Sequence, residues 1–91
     1  MKPLCFVYLI GSITHNWYKI GMSADPMKRY KTLESALPFP LTLMHTQPMR
    51  SRRQAKRVEY ALHRHFGHLR LHGEWFHDID FGQFWNFLRR Q

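Results

Sequence analysis

Val7-Tyr8-Leu9, Tyr18-Lys19-Ile20-Gly21 and Asp25-Pro26-Met27-Lys28-Arg29-Tyr30 follow one another early in the chain. The first lies in residues 4–10, a β-branched and aromatic run of strand length. Residues 17–20 form a second short strand. The polar, turn-like residues 11–16 between them are few enough for an antiparallel hairpin. Gly21 ends the second strand, where the missing side chain lets backbone or ligand approach closely. Asp25-Pro26 then starts a helix, because aspartate caps free amides and proline suits the first helical position. Tyr8, Lys19 and Arg29 therefore fall on strand, strand and helix.

Working outward, the helix runs to about residue 35, with Met27, Tyr30 and Leu33 or Glu34 at helical spacing. Residues 37–40 carry two prolines and connect to a third strand at 41–47. Ser51 is a candidate N-cap for a second helix. Ala55, Val58, Leu62, Phe66 and Leu69 give that helix one apolar stripe, opposite a basic side of Arg52, Arg53, Lys56, Arg57 and Arg64. Gly67 or Gly73 ends it. Residues 74–76 form a short strand or extended segment, and Asp80 caps a last helix packed through Phe81, Phe84, Trp85 and Leu88. The order β-β-α-β-α-(β)-α makes the class α+β or a small α/β sandwich.

The 91 residues are expected to form one domain, 1–91. Fourteen Lys and Arg against six Asp and Glu leave a net charge of +8, which calls for a polyanionic partner. An anionic membrane is the weaker choice, since no helix pattern sets a clean apolar face against a lysine-rich one. Residues 4–13 resemble a signal-peptide core but contain Tyr8, Gly11 and Ser12, so they read as strand. Nothing is long enough to cross a bilayer. The one cysteine, Cys5, excludes an internal disulfide and a Cys-rich zinc site. It fits a reducing, cytoplasmic setting.

These residues resemble the GIY-YIG nuclease family. Val7-Tyr8-Leu9 stands where the first motif would be, and Lys19-Ile20-Gly21 where the second would be. Asp25 to Tyr30 is similar to the family's following helix with its arginine. Glu59, in Val-Glu-Tyr-Ala-Leu-His, is similar to the helix that carries the metal-binding glutamate, and Glu74-Trp75-Phe76 to a segment near the end of short members. The resemblance covers roughly residues 4–78. It departs at Lys19, where many relatives have tyrosine, and at Leu33, where several have histidine. It implies a three-stranded antiparallel sheet flanked by helices, and phosphodiester hydrolysis with one divalent metal, Mg²⁺ or Mn²⁺. By the same resemblance Tyr8 is the general base or its relay, Arg29 contacts the scissile phosphate, and Glu59 binds the metal.

The chemistry of the residues supports those roles. Hydrolysing a phosphodiester needs a deprotonated water, a cation for the developing charge and a stabilised leaving oxygen. An ammonium beside a phenol favours its phenolate, which gives Lys19 a function if it lies beside Tyr8. The guanidinium of Arg29 binds two phosphate oxygens at once. One carboxylate is enough for Mg²⁺, which keeps waters and takes phosphate oxygens as further ligands. His63, four residues after Glu59, shares its helix face; it either orients Glu59, relays a proton or contacts phosphate, or caps the edge of the core. The string His63, His65, His68, His72 and His77 invites a zinc reading, which its irregular spacing weakens.

Lys28, Lys31, Arg50, Arg52, Arg53, Lys56 and Arg57 are expected to line a groove for nucleic acid, DNA favoured over RNA, in a monomer or weak dimer. Of Trp17 and Tyr18, one packs in the core and the other stacks on a base; Tyr18 is the candidate base contact. The first alternative is a non-catalytic nucleic-acid-binding module, which has no use for a carboxylate at Glu59. A second is an assembly protein presenting Trp75, Phe76, Phe81, Phe84 and Trp85 to a partner.

Overall fold

The computed structural model describes residues 4–91. Strand β1 (Cys5–Ser12) pairs on one side with β2 (Trp17–Ser23) and on the other with β3 (Thr42–Met49), both antiparallel. Helix α1 (Pro26–Ala36) joins β2 to β3, and α2 (Arg52–His65) follows β3. A 3₁₀ turn at Gly67–Leu69 leads into the short strands β4 (Arg70–His72) and β5 (Trp75–His77), and α3 (Phe81–Leu88) ends the fold.

The expected α+β class is observed, with one correction. The sheet has five strands, in the order β3-β1-β2-β5-β4. The three expected strands are its first three; the β4–β5 hairpin extends the sheet from β2. Arg70, Leu71 and His72 are all exposed, so β4 carries no inward–outward alternation by which a sequence announces a strand. Strand β2 also continues through Gly21 to Ser23.

Each helix starts where its cap residue directs. Oδ1 of Asp25 accepts from the Lys28 amide at 3.0 Å, Oγ of Ser51 from Gln54 at 3.0 Å, and Oδ1 of Asp80 from Gln83 at 2.9 Å. Each side chain satisfies an amide that the first helical turn leaves free.

The sheet separates two apolar layers. On one face Val7, Leu9, Tyr18, Ile20 and Phe76 pack under α2 and α3, against Val58, Leu62, Phe66, Phe84 and Leu88. Burying each such side chain contributes about 1.5–3 kcal/mol. On the other face Tyr8 and Ile10 join Leu41, with Tyr30, Leu33, Phe39 and Trp75 packed around them. Tyr8 and Lys19 thus lie on the α1 face, and α2 lies on the opposite face.

Two expectations about aromatic residues change here. Tyr18 is 9% exposed and belongs to the core, so it is removed as a contact for nucleic acid; Trp17, pointing the other way along the same strand, is exposed. Phe76 and Phe84 are fully buried, so the face imagined for a protein partner is reduced to Phe81 and Trp85 at the surface and Trp75 in part.

Candidate functional site

The site forms where β2 loses its neighbour. Strand β5 covers β2 only from Trp17 to Lys19. The Ile20 amide donates to the Glu74 carbonyl at 3.1 Å, and beyond it no described strand lies on that side. The Ile20 carbonyl accepts from Nε2 of His63 at 2.8 Å. This open edge is the place where side chains from the two sheet faces can meet.

Tyr8 reaches the edge from the α1 face. It lies opposite Gly21 in the β1–β2 register. A β-carbon at Gly21 would stand 2.5 Å from the Tyr8 hydroxyl and 3.0 Å from Oε1 of Glu74. Gly21 is therefore the gap through which the phenol and the Glu74 carboxylate approach one another. Lys19 joins them: its Nζ is 5.6 Å from the centre of the Tyr8 ring and donates to Oε1 of Glu74. Lys19 is 8% exposed, and a cation so buried is held by such a partner.

Glu59 arrives from the other face, on α2. Its pKa is raised above the ordinary 4.5, first by burial and then by the negative charge of Glu74; His63, Lys19 and Lys56 pull the other way. Two oxygens of this cluster, Oη of Tyr8 and Oε2 of Glu59, are buried without a hydrogen-bond partner. Orphaned polar atoms of this kind are uncommon and costly. Here both belong to oxygens that can act as metal ligand, acid or base.

A cleft of about 490 Å³ adjoins the cluster, lined among others by Met22 of β2, Lys28, Arg29 and Thr32 of α1, and Arg52 and Lys56 of α2. Lys56 links the two, since it lines the cleft and its charge is felt at Glu59. Arg52, Lys56, Glu59 and His63 recur at helical spacing and share one face of α2. The expected groove is thus assembled in part. Lys28, Arg29, Arg52 and Lys56 converge, whereas Lys31, Arg50, Arg53 and Arg57 are exposed residues outside the lining of the cleft.

His63 has a resolved local task. Its Nε2–H is spent on the Ile20 carbonyl, and its ring packs on Phe76 at 5.2 Å. Those contacts fix α2 against β2 and so fix the height of Glu59. Gly21 lies within β2 and not after it, yet it allows the close approach expected of it, and the groups it admits are Tyr8 and Glu74. Glu74 is the member of the cluster to which the sequence reading gives no chemistry. It is one of only six acidic residues in the chain, and that scarcity is the signal that could have singled it out.

Among the described residues no three of His, Cys, Asp and Glu come together as a metal-binding group. No helix among them is long and apolar enough to cross a membrane. No curated protein and no solved structure gives a significant match. One family model matches, the T5orf172 domain, over residues 5–90. That match overturns the GIY-YIG assignment. The motifs behind that assignment are each three to six residues long, and such short signals in the right order do not fix a family. The matched domain is associated with nuclease-like and DNA-binding modules. From Cys5 to Arg90, nearly its full length, the chain belongs to the T5orf172 domain family.

Proposed function

We propose that this domain is a metal-dependent nuclease that hydrolyses phosphodiester bonds, acting in the cytoplasm as an endonuclease on DNA. The observation that carries the proposal is the pair of orphaned buried oxygens, Tyr8 Oη and Glu59 Oε2, in a cluster adjoining a cleft lined by four cations.

The residues fit a hard divalent cation. A free carboxylate oxygen is the donor that Mg²⁺ takes, and a single carboxylate suffices when waters and phosphate oxygens complete the shell. Glu59 would hold the ion, and the neighbouring Glu74 charge would favour it further. When bound, Mg²⁺ or Mn²⁺ supplies positive charge for the phosphate oxygens and the leaving oxygen in the transition state.

The remaining work falls to the chain. Arg29, with Lys28, Arg52 and Lys56, neutralises and orients the phosphates in the cleft. Tyr8 takes or relays the proton of the attacking water through its unpartnered hydroxyl. Lys19 packs its ammonium against the Tyr8 ring and so fixes the ring's position, and Glu74 holds Lys19 in place. His63 positions α2. A plain binding module is the poorer reading, because Glu59, whose Oε2 has no partner, repels phosphate unless a cation intervenes.

The test is incubation of end-labelled single-stranded and duplex DNA with the protein in Mg²⁺, in Mn²⁺ and in EDTA. New internal ends that need the metal support the reading. Salt-sensitive binding without a cut on any substrate contradicts it.

A further inference from the structure

A second cavity, of about 310 Å³, lies at the far end of β2 from the cationic cleft. It is lined by Trp17, Leu37, Phe39, Leu71, His72 and Trp75. That volume is at the lower end of small-ligand sites, and two indoles and a phenyl ring dominate its wall. Two of its rings are braced by a third: His15 stacks on Trp17 at 4.8 Å and lies 4.3 Å from Phe39. Trp17 nevertheless remains 38% exposed and Leu71 49%. The aromatic walls are preformed and open to solvent.

The position of the cavity says what fills it. Strand β2 carries Trp17 in the aromatic cavity, Lys19 and Gly21 in the polar cluster, and Met22 and Ser23 in the cationic cleft. Helix α1 repeats the arrangement, with Lys28 and Arg29 in the cleft and Leu37, just past its end, in the cavity. The two cavities are separated by roughly 20 Å along the strand, a few nucleotides of chain, with the polar cluster between them. Trp75 ties cavity to cluster, pairing with Lys19 and packing in the same apolar layer as Tyr8. A polyanion drawn to the cations at one end carries a flat, π-faced group within reach of the other.

We propose that this cavity is a nucleobase subsite: it takes one unpaired base of a DNA strand whose phosphates lie in the cationic cleft, stacked on Trp17 with its edge toward Phe39, whose ring stands at 72° to the indole. The subsite rests on the nucleic-acid reading above. It adds that an unstacked base is required near the scission point, so that single-stranded or locally opened DNA is the preferred ligand.

The experiment measures binding in EDTA, where nothing can be cut, by fluorescence anisotropy. The probes are a labelled single-stranded oligodeoxynucleotide and an abasic oligomer of the same length and charge. The proteins are wild type, Trp17→Ala, Trp17→Phe and Arg29→Ala. Trp17 is partly exposed at the end of its strand, so its truncation leaves the core layers intact; circular dichroism checks this. Wild type is expected to bind the base-bearing strand about tenfold more tightly than the abasic one. Trp17→Ala removes that preference while keeping abasic affinity, Trp17→Phe restores most of it, and Arg29→Ala weakens both probes equally. Equal wild-type affinity for the two probes, or an equal loss for both in Trp17→Ala, overturns the subsite. Because the readout is binding, absence of cleavage in Mg²⁺ would refute the nuclease and leave this test standing.

Discussion

The Tyr8 hydroxyl rests against the α-carbon of Gly21, in a space that any β-carbon would occupy: it would lie 2.5 Å from Oη and 2.6 Å from Cζ. Tyr8 is fully buried on β1, which is paired on both sides, so the ring has nowhere to retreat. Gly21→Ala should therefore destabilise the fold by about 1–3 kcal/mol through overpacking. It should also slow cleavage by roughly 100-fold through displacement of the hydroxyl. Urea unfolding and initial rates check both. Because Cζ is crowded as well, adding Tyr8→Phe should not relieve the loss of stability.

Tyr8→Phe alone separates function from stability. The hydroxyl is buried and unpaired, and an unsatisfied buried group costs about 1–3 kcal/mol. The variant should be as stable as wild type or more so, with cleavage reduced roughly 10²- to 10⁴-fold. A fall in melting temperature with full activity would contradict the role given to Tyr8.

Glu59 sets a pH dependence of stability in metal-free buffer. Its folded pKa lies above the ordinary 4.5, mainly because it is buried and secondly because Glu74 is near. The folded state therefore binds this proton more tightly than the unfolded chain. Its contribution is most favourable below pH 4.5 and is lost as pH rises through the folded value. Glu59→Gln should stabilise the protein at neutral pH, and the gain should shrink as pH falls toward 4.5. Adding Mg²⁺ should raise the melting temperature of wild type and leave that of Glu59→Gln nearly unmoved. Thermal melts across pH, with and without the ion, read both effects.

The cleft gives a salt dependence with a spatial signature. Arg52 and Lys56 line it, whereas Arg53 and Arg57, one position on along α2, do not. Arg52→Ala/Lys56→Ala should flatten the plot of log affinity against log salt by about 0.9 for each duplex phosphate that the variant no longer neutralises. Arg53→Ala/Arg57→Ala removes the same charge from outside the cleft and should change the slope less. Equal slopes for the two double variants would remove the cleft from the account.

Local signals in the sequence are readable where one interaction dominates. Asp25, Ser51 and Asp80 each cap a helix, because capping is decided within three residues. The hairpin of β1 and β2 is decided nearly as locally. The partner of Lys19 is not readable: Glu74 stands 55 residues away, and only the pairing of β5 with β2 brings it near. Tyr18 misleads for a related reason. Neighbouring residues of a strand point to opposite faces, and only the register, with its packing layers, says which of Trp17 and Tyr18 is inside. The GIY-YIG assignment fails because the motifs behind it are local, whereas the T5orf172 match draws on residues 5–90 together. Among the site residues, Tyr8, Lys19 and Glu59 are named from sequence, and the structure gathers them at one edge with Glu74. Arg29 stands in the adjoining cleft.

The most direct measurement is cleavage of labelled single-stranded DNA, duplex DNA and RNA by wild type and Glu59→Ala, each with Mg²⁺ and with EDTA. If Glu59 holds the catalytic metal, wild type cuts DNA only with the ion, fastest on the single strand, and Glu59→Ala loses the cutting while keeping salt-sensitive binding. Cutting by Glu59→Ala at the wild-type rate, or cutting by wild type that survives EDTA, would contradict that role.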